Sequence, residues 1–298
     1  MSLIPLKRII KTFLSLCIFT NIVFSDSFLF HIKNDFINDT DRHLTNTMTF
    51  SWVFDKNKTK YYDTFNFQIK HDIFTPENLK SKNKEDYDLP YAGSIDTIYK
   101  FYKFDYRFYH SLGFIIGHIG KHAYAKEIQS GLHSVISATK PQGWDNQIGP
   151  KNKIGIVYEF GHRLYEKELN FNKFEFLYHF HTEYSSTIRD IQTIFSFRYG
   201  DGFPSNFVNP QLNLQVAKGW DISYNFKYVY SDYIYILDEY KDEYNINRDK
   251  NIVQELVNFN YYNKDEVYSL NLTQAKIFFN NKDEYNRWLG LTYTYIFD

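Results

Sequence analysis

Aromatic and polar side chains alternate residue by residue in several segments of this 298-residue chain. The alternation is clearest in segments 48–54, 65–73, 222–231 and 289–297. In each of them one face is apolar and mostly aromatic, and the other carries amides, hydroxyls and charges. A period of two residues is typical of β-strands whose faces meet different environments. The pattern therefore predicts strands that separate a lipid environment from a polar interior.

Composition distinguishes a transmembrane barrel from a helical membrane protein and from a soluble β-sandwich. Aromatic residues make up 20% of the chain, yet 23% of its residues are charged and its mean hydropathy is −0.49. A helical membrane protein needs apolar stretches of about 20 residues, and none follows residue 25. A soluble β-sandwich would also alternate, but with its aromatics inward and its Lys and Glu outward. With a net charge of −1 and no basic stripe, nucleic acid is not expected as a partner.

The N-terminal segment 1–25 has the three parts of a secretory signal peptide. A positive region is followed by the apolar run Thr12 to Phe24 and by small residues suited to cleavage before Asp26. Cys17 lies inside this segment, so the mature chain 26–298 would contain no cysteine. Disulfides, thiolate nucleophiles and cysteine-bound metals are then excluded from it.

The mature chain is predicted to be one domain, an all-β, antiparallel transmembrane barrel. Twelve strands are predicted near 27–35, 44–56, 61–74, 91–103, 105–119, 152–166, 170–183, 187–200, 218–237, 251–263, 265–279 and 285–297. An even number places both termini on the same side, as in bacterial single-chain barrels. Phe297 resembles the aromatic C-terminal signal of outer-membrane proteins. The segment 201–217 is longer than usual for the periplasmic side.

The extracellular connections hold most of the unusual polar residues. They are predicted at 36–43, 75–90, 120–151, 184–186, 238–250 and 280–284. The third is expected to contain a short helix, Lys121 to Ala138, because it is rich in helix-forming residues and lacks proline. Gln129 and His133 are one turn apart and share a face of that helix. Because neighbouring strands place the first three loops side by side, these residues could meet Asn34, Asp35 and Thr45 at one rim.

Several motifs in these loops resemble the outer-membrane lipid A 3′-O-deacylase family. They are Asn34-Asp35, Asp41-Arg42-x-x-Thr45, Thr75-Pro76-Glu77-Asn78-Leu79, Pro90-Tyr91-Ala92-Gly93, Gln129-x-x-x-His133, Gly143-Trp144-Asp145-Asn146-Gln147 and Arg198-x-Gly200-Asp201. The resemblance implies a twelve-stranded barrel that removes the 3′-linked acyloxyacyl group from lipid A in the outer leaflet. It also implies dependence on Ca²⁺, with lipid A or lipopolysaccharide as substrate. We expect a monomer in the outer membrane, with its active site facing the exterior.

The resemblance assigns roles to individual residues. The family's catalytic positions fall on Asn34, Asp35, Thr45, Gln129 and His133, and Ca²⁺ is expected at Asn34 and Asp35. The expected substrate-binding residues are Lys80, Lys82 and Trp144, where either lysine could match a family lysine. Two positions depart from the family: Thr139 replaces an acidic residue, and Asp88-Leu89 replaces Asp-Arg. Trp144 is also interpreted as an anchor near the lipid headgroups.

These residue types suit ester hydrolysis by activated water. His133 is the expected general base, because imidazole changes its protonation state near neutral pH. Asp35 would orient it or help to hold a cation that polarises the ester carbonyl. No Gly-x-Ser-x-Gly motif is present, which disfavours a serine acyl-enzyme. Two alternatives remain: an outer-membrane phospholipase, or a small porin or adhesin without enzymatic activity.

Overall fold

The computed structural model describes residues 25–35, 43–55, 61–136, 140–208, 212, 215–280 and 284–297. The predicted signal peptide, residues 1–25, lies outside the described residues apart from Ser25. The strands are β1 (Ser27–Asn34), β2 (His43–Phe54), β3 (Thr64–Thr75), β4 (Ala92–Phe104), β5 (Phe108–Ile119), β6 (Lys151–Leu169), β7 (Asn172–Ser185), β8 (Ile188–Asp201), β9 (Ala217–Ile234), β10 (Asn251–Lys264), β11 (Glu266–Lys276) and β12 (Tyr285–Ile296).

The strands form one closed antiparallel barrel, as the alternation predicts. Each strand pairs with its neighbours in sequence, and β1 closes the barrel by pairing with β12. Phe30, for example, lies opposite Phe50 of β2 and Tyr293 of β12. Closure leaves no strand edge whose backbone N–H and C=O groups lack partners, which matters because lipid cannot form hydrogen bonds with them. The predicted class is therefore confirmed, and every predicted strand end lies within three residues of the observed one.

The helices are short and lie in the connections. Among the described residues, the helical elements are the α-helices α1 (Ala125–Ile136) and α2 (Tyr235–Asp238) and the 3₁₀ turns Lys84–Asp86, Lys121–Ala123 and Trp144–Asn146. These elements lie at the end of the barrel opposite to Ser27 and Ile296, which we call the helix end. The opposite end is called the terminal end. No helix in the described part of the chain is long and apolar enough to cross a membrane.

The outer surface of the wall is apolar and aromatic. Phe114, Ile156 and Leu291 are each about half exposed, at 49%, 51% and 53%. Rings on adjacent strands also contact one another, as Phe176 and Phe197 do with centroids 4.8 Å apart. A soluble monomer rarely exposes so wide an apolar band, whereas a bilayer requires it.

The lumen is lined by charges arranged in pairs. The Lys153 ammonium lies 2.9 Å from carboxylate oxygens of both Asp96 and Glu183. Deeper towards the terminal end, the Arg198 guanidinium lies 3.1 Å from Asp221 and 3.3 Å from Glu175. Pairing is what makes buried charges tolerable, because an uncompensated charge there costs several kcal/mol.

The long connection at the terminal end, 202–216, folds into the barrel. Among its described residues, Phe207 and Leu212 are buried in an apolar cluster with lumenal side chains. These lumenal partners are Val53, Tyr102, Tyr109 and Leu177. The Arg198 guanidinium also donates a hydrogen bond to the Asn206 carbonyl. This connection therefore narrows the lumen from the terminal side.

Connections at the helix end pack into a second apolar cluster, the helix-end cluster. Its buried members are Ile73, Tyr87, Leu89, Tyr91, Ala92, Ile119, Ala125, Trp144, Ile148, Ile236, Leu237, Tyr244, Ile246, Ile277 and Phe279. An ion pair between Lys84 and Glu243 joins two of these connections. The cluster gives the loops a fixed arrangement, on which a site at this end can be built.

Candidate functional site on the outer wall

Helix α1 begins four residues later than the sequence predicts. The predicted start, Lys121, instead opens a 3₁₀ turn that ends at Ala123. Tyr124 then adopts a left-handed conformation with φ 57°, and α1 runs from Ala125 to Ile136. The prediction failed here because the break depends on contacts with the barrel rather than on helix propensity. Residues 137–139, which include the predicted helix end, lie outside the described residues.

Helix α1 lies against the outer surface of the wall, not inside the lumen. Gly93 and Tyr99 are six residues apart on β4, so they face the same side of the wall. That side is the outer one, because the Tyr99 ring packs on the outward-facing Phe67. A Cβ at Gly93 would lie only 2.4 Å from Cβ of Ala125 and 3.2 Å from Cβ of Ala123. Glycine therefore lets the start of α1 approach the wall so closely, and a larger side chain would push the helix away.

Towards the helix end, polar residues appear among the outward-facing side chains of β1, β2 and β3. Asn34, Asn46 and His71 continue the apolar series of β1, β2 and β3 towards the helix end. Asn34 lies directly opposite Asn46, and His71 lies opposite Met48 on β2. Asn46 and His71 were not predicted as site residues. A polar residue interrupting the apolar phase of a predicted strand was the signal that could have identified them.

Gln129 is held by Trp144. The indole Nε1 of Trp144 donates a 2.9 Å hydrogen bond to Oε1 of Gln129, and the two residues are only 1% and 2% exposed. Nε2 of Gln129 is buried and has no hydrogen-bond acceptor among the described residues. The interpretation of Trp144 as an anchor near the headgroups is wrong, because the residue lies inside the helix-end cluster. A contact of Trp144 with substrate stays a prediction.

Asn34, Asp35 and Thr45 lie together where β1 and β2 end. The Asp35 amide donates to the Thr45 carbonyl over 3.3 Å. The Thr45 hydroxyl lies 2.6 Å from that of Thr75, and Asp35 and Thr45 are both buried. The structure therefore places Asp35 beside Thr45, while the expected meeting of Asn34, Asp35 and Thr45 with His133 stays a prediction.

His133 follows Gln129 by one turn on α1 and is 5% exposed. The wall contacts of α1 are with β3 and β4. Whether His133 reaches Asn34 and Asp35, as the sequence suggests, stays a prediction.

Lys80 and Lys82 are exposed on the connection between β3 and β4. The Lys82 carbonyl accepts a 2.8 Å hydrogen bond from the Asn146 amide, which ties this connection to the one carrying α1. The lysine side chains are thereby placed beside that connection, and their contact with substrate stays a prediction.

Asn34 and Asp35 offer oxygen atoms of the kind that Ca²⁺ prefers. Ca²⁺ takes six to eight oxygen ligands, so these two residues would form part of a site. Within the described ranges, no group of three or more His, Cys, Asp or Glu residues is arranged to hold a metal. The adjoining segment 36–42, which contains Asn38, Asp39 and Asp41, lies outside those ranges.

Comparison with known proteins gives one family. A family model described as outer membrane protein LpxR matches residues 12–276. No curated protein sequence matches the chain.

Among solved structures, LpxR from Salmonella typhimurium superposes with a TM-score of 0.77 and 16% identity, covering 91% of this chain and all of that one. The β domain of the Bordetella autotransporter BrkA gives 0.44 at 8% identity, covering 91% of this chain and 97% of that one. The KdgM porin gives 0.43 at 7%, covering 91% and 99%. The first likeness shows the fold, and the other two are too weak to carry an argument.

Proposed function

Since the chain belongs to the LpxR family of outer-membrane proteins, we propose that it removes the 3′-linked acyloxyacyl group from lipid A. One observation carries the proposal: α1, with Gln129 and His133, lies on the outer surface of the wall against β3 and β4. On the same surface, β1, β2 and β3 carry the polar residues Asn34, Asn46 and His71 towards the helix end. A substrate dissolved in the bilayer reaches that surface laterally. A soluble substrate would instead use the lumen.

The lumen supports this choice over a porin. Ion pairs such as Lys153 with Asp96 line its wall, and Phe207 and Leu212 narrow it from the terminal end. A cavity inside the barrel, lined by both polar and apolar side chains, measures about 280 Å³. Porins of 16–18 strands leave a wider, water-filled channel. A filled twelve-stranded barrel suits a rigid scaffold for a site on its wall.

In the proposed reaction, His133 accepts a proton from water as the oxygen attacks the ester carbonyl. The bond between the acyl carbon and the 3′-oxygen of the sugar then breaks, and the proton passes from His133 to that oxygen. The products are the free acyloxyacyl carboxylic acid and a 3′-hydroxyl, so one water is consumed for each ester. Gln129, fixed by Trp144, offers its Nε2 donor to the substrate or to the water.

Asn34 and Asp35 would hold Ca²⁺ together with further oxygen ligands. When bound, the ion supplies positive charge that polarises the ester carbonyl and stabilises the oxyanion. Thr45, anchored by its contact with Thr75, keeps the start of β2 beside this pair. Lys80 and Lys82 would pair with the phosphorylated sugar.

Orientation in the membrane follows from assembly and substrate. Bacterial barrels keep both termini and their short turns in the periplasm. The helix end, opposite the termini, would then face the exterior, at the level of the outer leaflet where lipid A resides. This places α1 near the boundary between headgroups and acyl chains.

Mass spectrometry of lipid A tests the proposal. Cells expressing the chain should accumulate lipid A that lacks the 3′-linked acyloxyacyl group, and cells expressing His133→Asn should not. The purified protein should do the same to lipid A in detergent. Intact lipid A beside hydrolysed phospholipid would favour the phospholipase alternative. Intact lipid A and phospholipid, with ion conductance in planar bilayers, would favour a porin.

A further inference from the structure

His71 is a polar residue in the lipid-facing phase of β3. It follows Phe65, Phe67 and Ile69 in that phase, where an uncovered imidazole would meet hydrocarbon. The residue is nevertheless only 6% exposed, because the segment that leads into α1 covers it. Burial of a polar ring is costly unless its nitrogens are hydrogen-bonded.

The ring has one fixed partner. Nε2 of His71 lies 2.8 Å from the carbonyl oxygen of Ala123. A carbonyl can only accept, so Nε2 carries the proton and donates. The bond joins the barrel wall to the last residue of the 3₁₀ turn, two residues before α1 begins.

The same point of contact is fixed sterically. Gly93, on the strand beside His71, accommodates the Cβ atoms of Ala123 and Ala125. Tyr124, between these alanines, takes the left-handed conformation that separates the turn from the helix. The hydrogen bond from His71 to Ala123 and the close packing of Ala125 on Gly93 together define where α1 starts and how it is rotated about its axis.

From this geometry we infer that His71 is a positioning residue for hydrolysis, resting on the proposed function above. It holds the Ala123 carbonyl and thereby places Gln129 and His133, about one and two turns into α1, over the wall. Displacement of catalytic groups by about 1 Å can cost on the order of a hundredfold in rate. Loss of this anchor therefore lowers kcat more than it raises KM, and leaves the pH profile unchanged.

Two amide variants separate the anchor from the ring. In His71→Gln, the side-chain nitrogen can reach the position of Nε2 and still donate to Ala123. In His71→Asn, the shorter amide ends near the position of Nδ1 and cannot reach that carbonyl. His71→Phe removes all polar atoms. His110→Gln is the matched control, because His110 is an exposed, outward-facing histidine of β5 near the terminal end, away from α1.

We expect His71→Gln and His110→Gln to retain the rate to within about threefold. His71→Asn and His71→Phe should lose roughly tenfold to a hundredfold in kcat. Tryptic cleavage after Lys121, measured in proteoliposomes on barrels that still migrate as folded, should accelerate only in the second pair. The inference would be overturned if His71→Phe deacylated and was cleaved by trypsin at the wild-type rates. It would also be overturned if His71→Gln and His71→Asn lost equal amounts of kcat. If the wild-type chain deacylates nothing, the proposed function fails, and cleavage alone still decides the role of His71.

Discussion

The indole of Trp144 and the amide of Gln129 form a buried hydrogen bond of 2.9 Å between two parts of the connection that carries α1. The bond uses Oε1 of Gln129 as acceptor, which turns Nε2 away as a donor. We therefore expect Trp144 to act on the candidate site through Gln129 rather than through the lipid headgroups.

Trp144→Phe should lower the deacylation rate by about fivefold, the equivalent of one net hydrogen bond of about 1 kcal/mol. The phenyl ring keeps much of the packing in the helix-end cluster, so the barrel should still fold. Trp220→Phe, near the terminal end on β9, is the control and should leave the rate unchanged. The rate is measured on lipid A in detergent. A wild-type rate for Trp144→Phe would show that Gln129 needs no such support.

The strands could be predicted from the sequence because alternation is a local signal. Every strand that spans a bilayer repeats it, and a shift of one residue would expose the wrong face. The polar breaks at Asn46 and His71 were also visible, since they interrupt that pattern. Their structural meaning could not be predicted, because it depends on a loop that folds back to cover them.

The start of α1 and the burial of Trp144 could not be predicted in this way. Lys121 to Tyr124 has ordinary helix propensity, and the contacts of this turn and of Ala125 with the barrel wall account for the break in the helix there. Gly-Trp-Asp looks like an exposed turn, yet the apolar cluster at the helix end takes in the indole. Both features depend on tertiary contacts between residues far apart in the sequence.

His133→Asn should reduce deacylation by ~10²–10⁴-fold, the usual range for loss of a general base. The barrel should fold normally, because His133 lies in a connection rather than in a strand ladder. His122→Asn is the matched control: His122 is exposed on the same connection and its ring packs against His118. Single-turnover rates of the two variants provide the measurement. Equal rates for His133→Asn and the wild type would remove His133 from the chemistry.

Chelation should abolish deacylation, and added Ca²⁺ should restore it. Asp35→Asn removes a charged oxygen ligand, so it should raise the Ca²⁺ concentration needed for half-maximal rate by about tenfold or more. Asp145→Asn, which alters an exposed acid paired with Lys126, should not change that concentration. Activity that persists in excess chelator, with no ion retained by the protein, would contradict the proposed role of Asn34 and Asp35.

The connection between β9 and β10 should loosen in acid. Partial burial acts to raise the pKa of Asp238, but hydrogen bonds from Arg248 and from the Ile234 amide outweigh it and lower the pKa below the ordinary 3.8. A lowered folded-state pKa means that the stabilisation is complete above about pH 4 and is lost as the pH falls further.

Pepsin cleavage within 239–247 should therefore accelerate steeply below about pH 4 in the wild type. Asp238→Asn should be cleaved faster at all pH values, with a weaker dependence on pH. Asp242→Asn, an exposed neighbour, serves as the control. The same steep dependence in Asp238→Asn would assign the acid sensitivity to another group.

The buried pair of Arg198 and Asp221 should stabilise the barrel without affecting the site. Asp221 also accepts hydrogen bonds from Tyr262, over 2.6 Å, and from Asn260, over 2.8 Å. Asp221→Ala removes the acceptor of these two donors and of the Arg198 guanidinium, so buried N–H and O–H groups in the lumen lose their hydrogen-bond partner. Loss of one partner of a buried pair costs about 3–5 kcal/mol, so the temperature at which the barrel unfolds on gels should drop markedly.

The contrast with a surface acid makes this test specific. Asp201→Ala, at the exposed end of β8, should change stability by less than about 0.5 kcal/mol. Below its unfolding temperature, Asp221→Ala should deacylate at the wild-type rate per folded molecule, because Asp221 lies towards the terminal end, away from α1. An unchanged unfolding temperature would mean that Glu175 alone compensates Arg198. A reduced rate in the folded variant would mean that the lumenal network is coupled to the wall site.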